Sequence, residues 1–159
     1  EVNCSVLGFD SEVRTSVTEM PTTSGGELLD FADKYLTGGG SKGMASLKRI
    51  MPAPVGDEMI HRIESLSAQI FRALDCKGVV RIDYMLTKND ELYITEINTI
   101  PGSMAFYLWQ ESGVSYPQLI DKLVEYAEKA FAEKNENNYA YTSDILNGVV
   151  LGGKKGGKL

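Results

Sequence analysis

The sequence predicts an α+β fold, a largely antiparallel sheet packed against two main helices. Two pairs of runs rich in β-branched and aromatic residues, 1–7 with 13–20 and 79–86 with 92–98, are each joined by a short polar connection of the length that links antiparallel strands. Two longer segments, 57–74 and 115–133, carry apolar residues at helical spacing instead. With 159 residues and 43% hydrophobic content the chain can bury one proper core.

The first hairpin has no lead-in. The chain opens on Glu1 in mid-strand, without an initiator methionine or a secretory signal, and is therefore expected to be a piece of a longer protein. After Pro21 a turn-rich break, Thr22-Thr23-Ser24-Gly25-Gly26, leads to an apolar stretch ending in Lys34-Tyr35. Glycines then crowd 38–43. So many cost much backbone entropy to order, and two readings fit: a plain connection, or a lid that orders over a ligand. Residues 47–51 read as a short strand that Pro52-Ala53-Pro54 ends.

In the first helix Met59, Ile60, Ile63, Leu66, Ile70 and Leu74 form the stripe expected to pack on the sheet, with Asp57 suiting the positive amino end. His61, the one histidine, points away from that stripe and reads as solvated. A zinc cluster and a Ser-His-Asp triad are thereby excluded. Further on, Phe106, Tyr107, Leu108 and Trp109 read equally as core or as pocket lining. The second helix starts at a capping box, Ser115 with Gln118 three positions on and Pro117 in the first turn, and buries Leu119, Ile120, Leu123, Val124, Ala127 and Phe131. Beyond it the composition turns polar and then Gly/Lys-rich, a flexible tail over 135–159 after a lobe over 1–134. The tail nearly matches a P-loop, but Lys155 stands where the magnesium-binding Ser or Thr belongs.

Composition narrows the partners. A net charge of −6 argues against a non-specific nucleic-acid binder, and no stretch is apolar enough to span a membrane. Cys4 and Cys76 lack metal-ligand spacing and read as buried thiols of a reducing cytoplasm.

The chemistry concentrates between Gly78 and Gly102. Alternation puts Arg81 and Asp83 on one face of the first strand, opposite Val80, Ile82 and Tyr84, while Glu96 and Asn98 share a face of the second. With a turn over 88–91, Asp83 faces Glu96 and Arg81 faces Asn98. Two carboxylates and an amide oxygen are hard ligands of the kind that hold Mg²⁺ or Mn²⁺ together with waters or phosphate oxygens. An exposed face with an ordinary Arg81–Glu96 ion pair is the plainer reading of the same residues.

Arg81-x-Asp83, the string Glu96-Ile97-Asn98-Thr99-Ile100-Pro101-Gly102, and Lys34-Tyr35 with Asp30 before them together resemble the carboxy-terminal part of D-alanine–D-alanine ligases, members of the ATP-grasp superfamily. The likeness runs from Glu1 to about Phe131 and implies an ATP-grasp carboxy-terminal lobe. It implies that Asp83, Glu96 and Asn98 bind two magnesium ions, with Glu96 bridging, and that Arg81 and the N–H of Gly102 stabilise an oxyanion. Lys34 would reach the nucleotide phosphates, Tyr35 would sit on the closing loop, and Glu1 would bond the ribose. Tyr107 stands where many members have a serine that contacts the second substrate, and Leu108 beside it matches. The implied reaction joins two D-alanines through an acyl phosphate at the expense of ATP, for peptidoglycan precursors. In the full-length protein, expected to be a cytoplasmic homodimer, the second substrate could also be D-serine or D-lactate. Family members carry further lobes before the point where this chain starts, so the piece is expected to fold without turning over. Another ATP-grasp carboxylate–amine ligase, or a non-catalytic nucleotide- or metal-binding module, fits the same residues.

Overall fold

A computed structural model describes residues 1–22 and 49–136 of the chain. Strands β1 (Val2–Phe9), β2 (Glu12–Pro21), β3 (Arg49–Ile50), β4 (Gly78–Leu86) and β5 (Leu92–Asn98) form one sheet in the order β3-β2-β1-β4-β5, with antiparallel pairing throughout. Helices α1 (Asp57–Ala73), α2 (Phe106–Glu111) and α3 (Tyr116–Glu136) cover it. The expected α+β class holds, with, among the described residues, one short helix more than the two predicted. Lys34, Tyr35, the glycine-rich stretch over 38–43 and the near P-loop all lie outside the described residues.

Alternation sorts β1 and β4 onto two different surfaces. Val2, Cys4 and Val6 of β1, with Val80, Ile82 and Tyr84 of β4, pack against Ile63 and Phe71 of α1. On the opposite face Leu7 and Val79 pack against Trp109 of α2 and Leu119 and Tyr126 of α3. Because both faces of the central β1 are covered, its residues from Val2 to Leu7 are buried whatever their phase. Gly8 closes the hairpin at close quarters: a Cβ there would lie 2.5 Å from the Glu12 carbonyl oxygen and 3.2 Å from the Phe71 ring. No helix among the described residues is long and apolar enough to cross a membrane.

Both helical faces differ from expectation. On α1 the buried residues are Ile63, Ser67 and Phe71, while Leu74 lies past the helix end and is 56% exposed. Met59, Leu66 and Ile70 of the expected stripe pack against the same core as Ile63, and Ser67 joins that face through a 2.7 Å hydrogen bond to the buried hydroxyl of Tyr84. On α3 only Leu119 and Tyr126 are buried, with Leu123 partly so, whereas Val124 is 53% and Phe131 69% exposed. The helix packs on the sheet through Leu119, Leu123 and Tyr126, and among the described residues nothing covers its later apolar side chains. At its start Gln118 Oε1 accepts the backbone N–H of Ser115 at 2.9 Å, but the Ser115 hydroxyl donates to that same oxygen, so only one arm of the expected capping box forms. His61 is exposed, beside Glu64. Cys4 is buried and Cys76 only half-buried, both as free thiols.

Candidate active site

β4 and β5 meet in the register expected from the sequence, Asp83 opposite Glu96 and Arg81 opposite Asn98, but not by the expected path. Near the turn Leu86 pairs with Leu92, and the ladder then slips by one residue between Asp83 and Tyr84, where β5 carries an extra residue. This bulge switches the phase of β5. Leu92 and Ile97, an odd number of positions apart, both pack on the α1 side, and Glu96 and Asn98 are left on the face of Asp83 and Arg81. The Thr95 hydroxyl fastens the bulge by donating to the Asp83 carbonyl oxygen at 3.0 Å.

The same face carries a polar row across four strands. Glu19 of β2 pairs with Asn3 of β1, Asn3 with Asp83 of β4, and Asp83 with Glu96 of β5. Within it Arg81 donates through Nε and Nη2 to the two carboxylate oxygens of Asp83 at 2.7 and 2.8 Å, with both side chains buried. This replaces the Arg81–Glu96 pair of the plainer reading. Burial alone would lower the Arg81 pKa, but the bond and the charge of Asp83 outweigh it and carry it above the ordinary value.

Glu19, only 2% exposed, is the group that sequence reasoning missed. Its Oε1 accepts from the Tyr107 hydroxyl at 2.8 Å and from Asn3 Nδ2 at 3.2 Å, and its Oε2 accepts from Arg49 at 3.1 Å. The Arg49 guanidinium lies 3.8 Å over the Tyr107 ring. Burial, together with the charge and bond of Glu19, pushes the Tyr107 hydroxyl up to about 12. The available signal was a carboxylate in a run, Ser16 to Met20, otherwise made of small, β-branched and apolar residues. Trp109 marks where the polar end of this face gives way to the apolar one, donating from Nε1 to Ser5 Oγ at 3.0 Å.

The other expected site residues are spread around this row. Glu1 is half-buried at the entry to β1, Glu96 and Asn98 are half-buried, and Gly102 is exposed in the loop after β5, where a Cβ would touch nothing. Tyr107 and Leu108 are buried beside Ala105, Leu108 completely. Met104 and Ala105 hold left-handed backbone (φ 53° and 49°) in the turn that leads from Gly102 into α2, a costly conformation for residues with a side chain. Among the described residues no three His, Cys, Asp or Glu side chains gather as a metal site. Asp83, Glu96 and Asn98 bring two carboxylates and one amide to adjoining positions of β4 and β5, hard oxygen donors of the kind that would suit magnesium keeping some of its waters.

The family model for the D-Ala-D-Ala ligase C-terminus matches residues 1–125. The chain belongs to the D-alanine–D-alanine ligase family. The D-alanine–D-alanine ligase of Streptomyces coelicolor is 42% identical over 132 residues, 80% of this chain and 32% of that protein. That of Thermosipho africanus is 33% identical over 146 residues, 92% of this chain and 38% of the relative. The ligase structure from Coxiella burnetii superposes with a TM-score of 0.65 at 22% identity, covering 85% of this chain and 33% of that one, a likeness of fold. The chain thus spans about a third of the length of the ligases it matches.

Proposed function

We propose that this chain is the carboxy-terminal, metal-binding part of a cytoplasmic ATP-dependent D-alanine–D-alanine ligase of peptidoglycan precursor synthesis. The observation that carries the reading is the register of β4 and β5. It sets Asp83 against Glu96 and Arg81 against Asn98 in a chain whose family membership rests on most of its length.

In this reading a carboxylate oxygen of the first D-alanine attacks the terminal phosphorus of ATP and ADP leaves. The amine of the second then attacks the acyl carbon, releasing phosphate and, after loss of a proton, the dipeptide. Asp83, Glu96 and Asn98 would hold magnesium, which when bound offsets the charge of the phosphate oxygens. Arg81 and the N–H of Gly102 would donate to the negative charge that develops on the acyl oxygen. Lys34 would bind phosphate, Tyr35 would close the site, and Glu1 would bond the ribose. No protein nucleophile is needed, because the work is orientation and electrostatics.

Tyr107 favours keeping a second acceptor in view. Its hydroxyl is committed to Glu19, so a substrate carboxylate must find another donor, and D-serine or D-lactate remain as acceptors beside D-alanine. Glu96→Gln in the full-length enzyme tests the main reading. Loss of Mg²⁺-dependent ligation with an intact fold is expected, and unchanged activity would overturn the site. An acid-dependent ATPase screen with D-alanine, D-serine and D-lactate identifies the acceptor.

A further inference from the structure

Asn3 is 3% exposed, and its Oδ1 is a buried oxygen without a hydrogen-bond partner among the described residues. Such atoms are rare because desolvating an acceptor costs what the missing bond would return. A flipped amide offers no escape. Nδ2 donates to Glu19 Oε1, and reversing the group would set oxygen against carboxylate. The amide is therefore pinned from the β2 side, which leaves its oxygen to the other neighbour in the row, Asp83 with the Arg81 guanidinium laid along it. Arg81 spends only Nε and one Nη2 bond on Asp83 and has further N–H donors. Asn3 stands directly opposite Asp83 in the ladder between β1 and β4, so the guanidinium bound to that carboxylate is its neighbour on this face.

Arg81 and a divalent cation compete for Asp83. When the carboxylate turns to the cation, a buried guanidinium is left beside a like charge with less of its own counter-charge, a costly state unless another acceptor receives it. Repulsion drives it from β5 toward the anionic Glu19. We propose that Asn3 is the positioning residue that receives it: Arg81 passes a hydrogen bond from Asp83 to Asn3 Oδ1, and Glu19 holds the amide in place for the exchange. The guanidinium then stays in the site while the carboxylate serves the cation. This inference rests on the metal seat proposed above and adds a residue, Asn3, and a pinning group, Glu19, to it.

The test is side-chain ¹⁵N NMR of the chain, following the Arg81 Nε–H signal and its exchange with water as Mg²⁺ is added, with calorimetry to report Mg²⁺ binding. In the unaltered chain the signal should shift with Mg²⁺ yet remain protected. In Asn3→Leu it should match the unaltered chain without Mg²⁺ and exchange about tenfold faster with it, the size of one lost charge-assisted hydrogen bond. Asn3→Thr, which suits a strand but is too short to reach, should behave alike and serves if the leucine variant does not fold. Equal protection in a folded Asn3 variant with Mg²⁺ bound overturns the positioning role and leaves the seat standing. No Mg²⁺ binding and no shift in the unaltered chain overturn the seat, and the proposal with it.

Discussion

Arg81 and Asp83, two positions apart on β4, hold each other through parallel hydrogen bonds of 2.7 and 2.8 Å, out of contact with water. A buried pair of this kind is worth little against an apolar replacement of both partners, but removing one strands the other's charge.

Asp83→Asn alone should therefore destabilise the chain by about 3–5 kcal/mol in chemical denaturation. Adding Arg81→Met should recover much of that loss. A double variant as unstable as the two single losses added together would show that the pair is not coupled.

The bulge on β5 depends on Thr95. Thr95→Val keeps the shape and removes the 3.0 Å bond to the Asp83 carbonyl, and should cost about 0.5–1.5 kcal/mol. Amide hydrogen exchange should quicken around Asp83 and Glu96 rather than at the turn. Uniform exchange along β5 would mean that the slip is fixed elsewhere.

The two faces of the sheet give a packing test. Phe71→Ala empties the centre of the α1 side and should cost about 3–5 kcal/mol. Phe131→Ala, on the bare end of α3, should stay within about 0.5 kcal/mol of the parent. Gly8→Ala should also destabilise, since its Cβ meets the Glu12 carbonyl at 2.5 Å.

Alkaline stability follows from buried acids. Burial, opposed in part by the Ser67 bond, pushes Tyr84 up to about 12, and burial with Glu19 does the same to Tyr107, both from 10.0; burial carries Cys4 from 9.0 to about 12. Between those limits the folded chain keeps protons that the unfolded chain loses, so unfolding free energy falls as pH rises from about 9 to 12, by up to about 1.4 kcal/mol per pH unit for each group. Below pH 9 the contribution is fully present. Tyr107→Phe should flatten the slope between pH 10 and 12, read from melting temperatures across that range; an unchanged slope would remove Tyr107 from the explanation.

Much of this was legible in the chain itself. Period-two alternation in two pairs of runs rich in β-branched residues, with a short polar turn inside each pair, specified two hairpins, because a strand must present alternate residues to opposite faces. The order Arg81, Asp83, Glu96, Asn98 placed four polar groups on one patch for the same reason. Helix existence was legible too, and so was most of the buried stripe of α1, but not every position: Ser67 turned inward and Phe131 outward according to what lay across from them. Only tertiary structure decided the rest. The bulge at Thr95 restored a register that simple pairing from the turn would have missed by one residue. The partner of Tyr107 was settled by the strand order, in which β2 lies beside β1 and β1 beside β4, so that Glu19 and Asn3 come from far along the chain into one buried row with Asp83. Local sequence carries a residue's preference for a face, whereas the charge that satisfies it once water is gone comes from whichever strand the fold sets alongside.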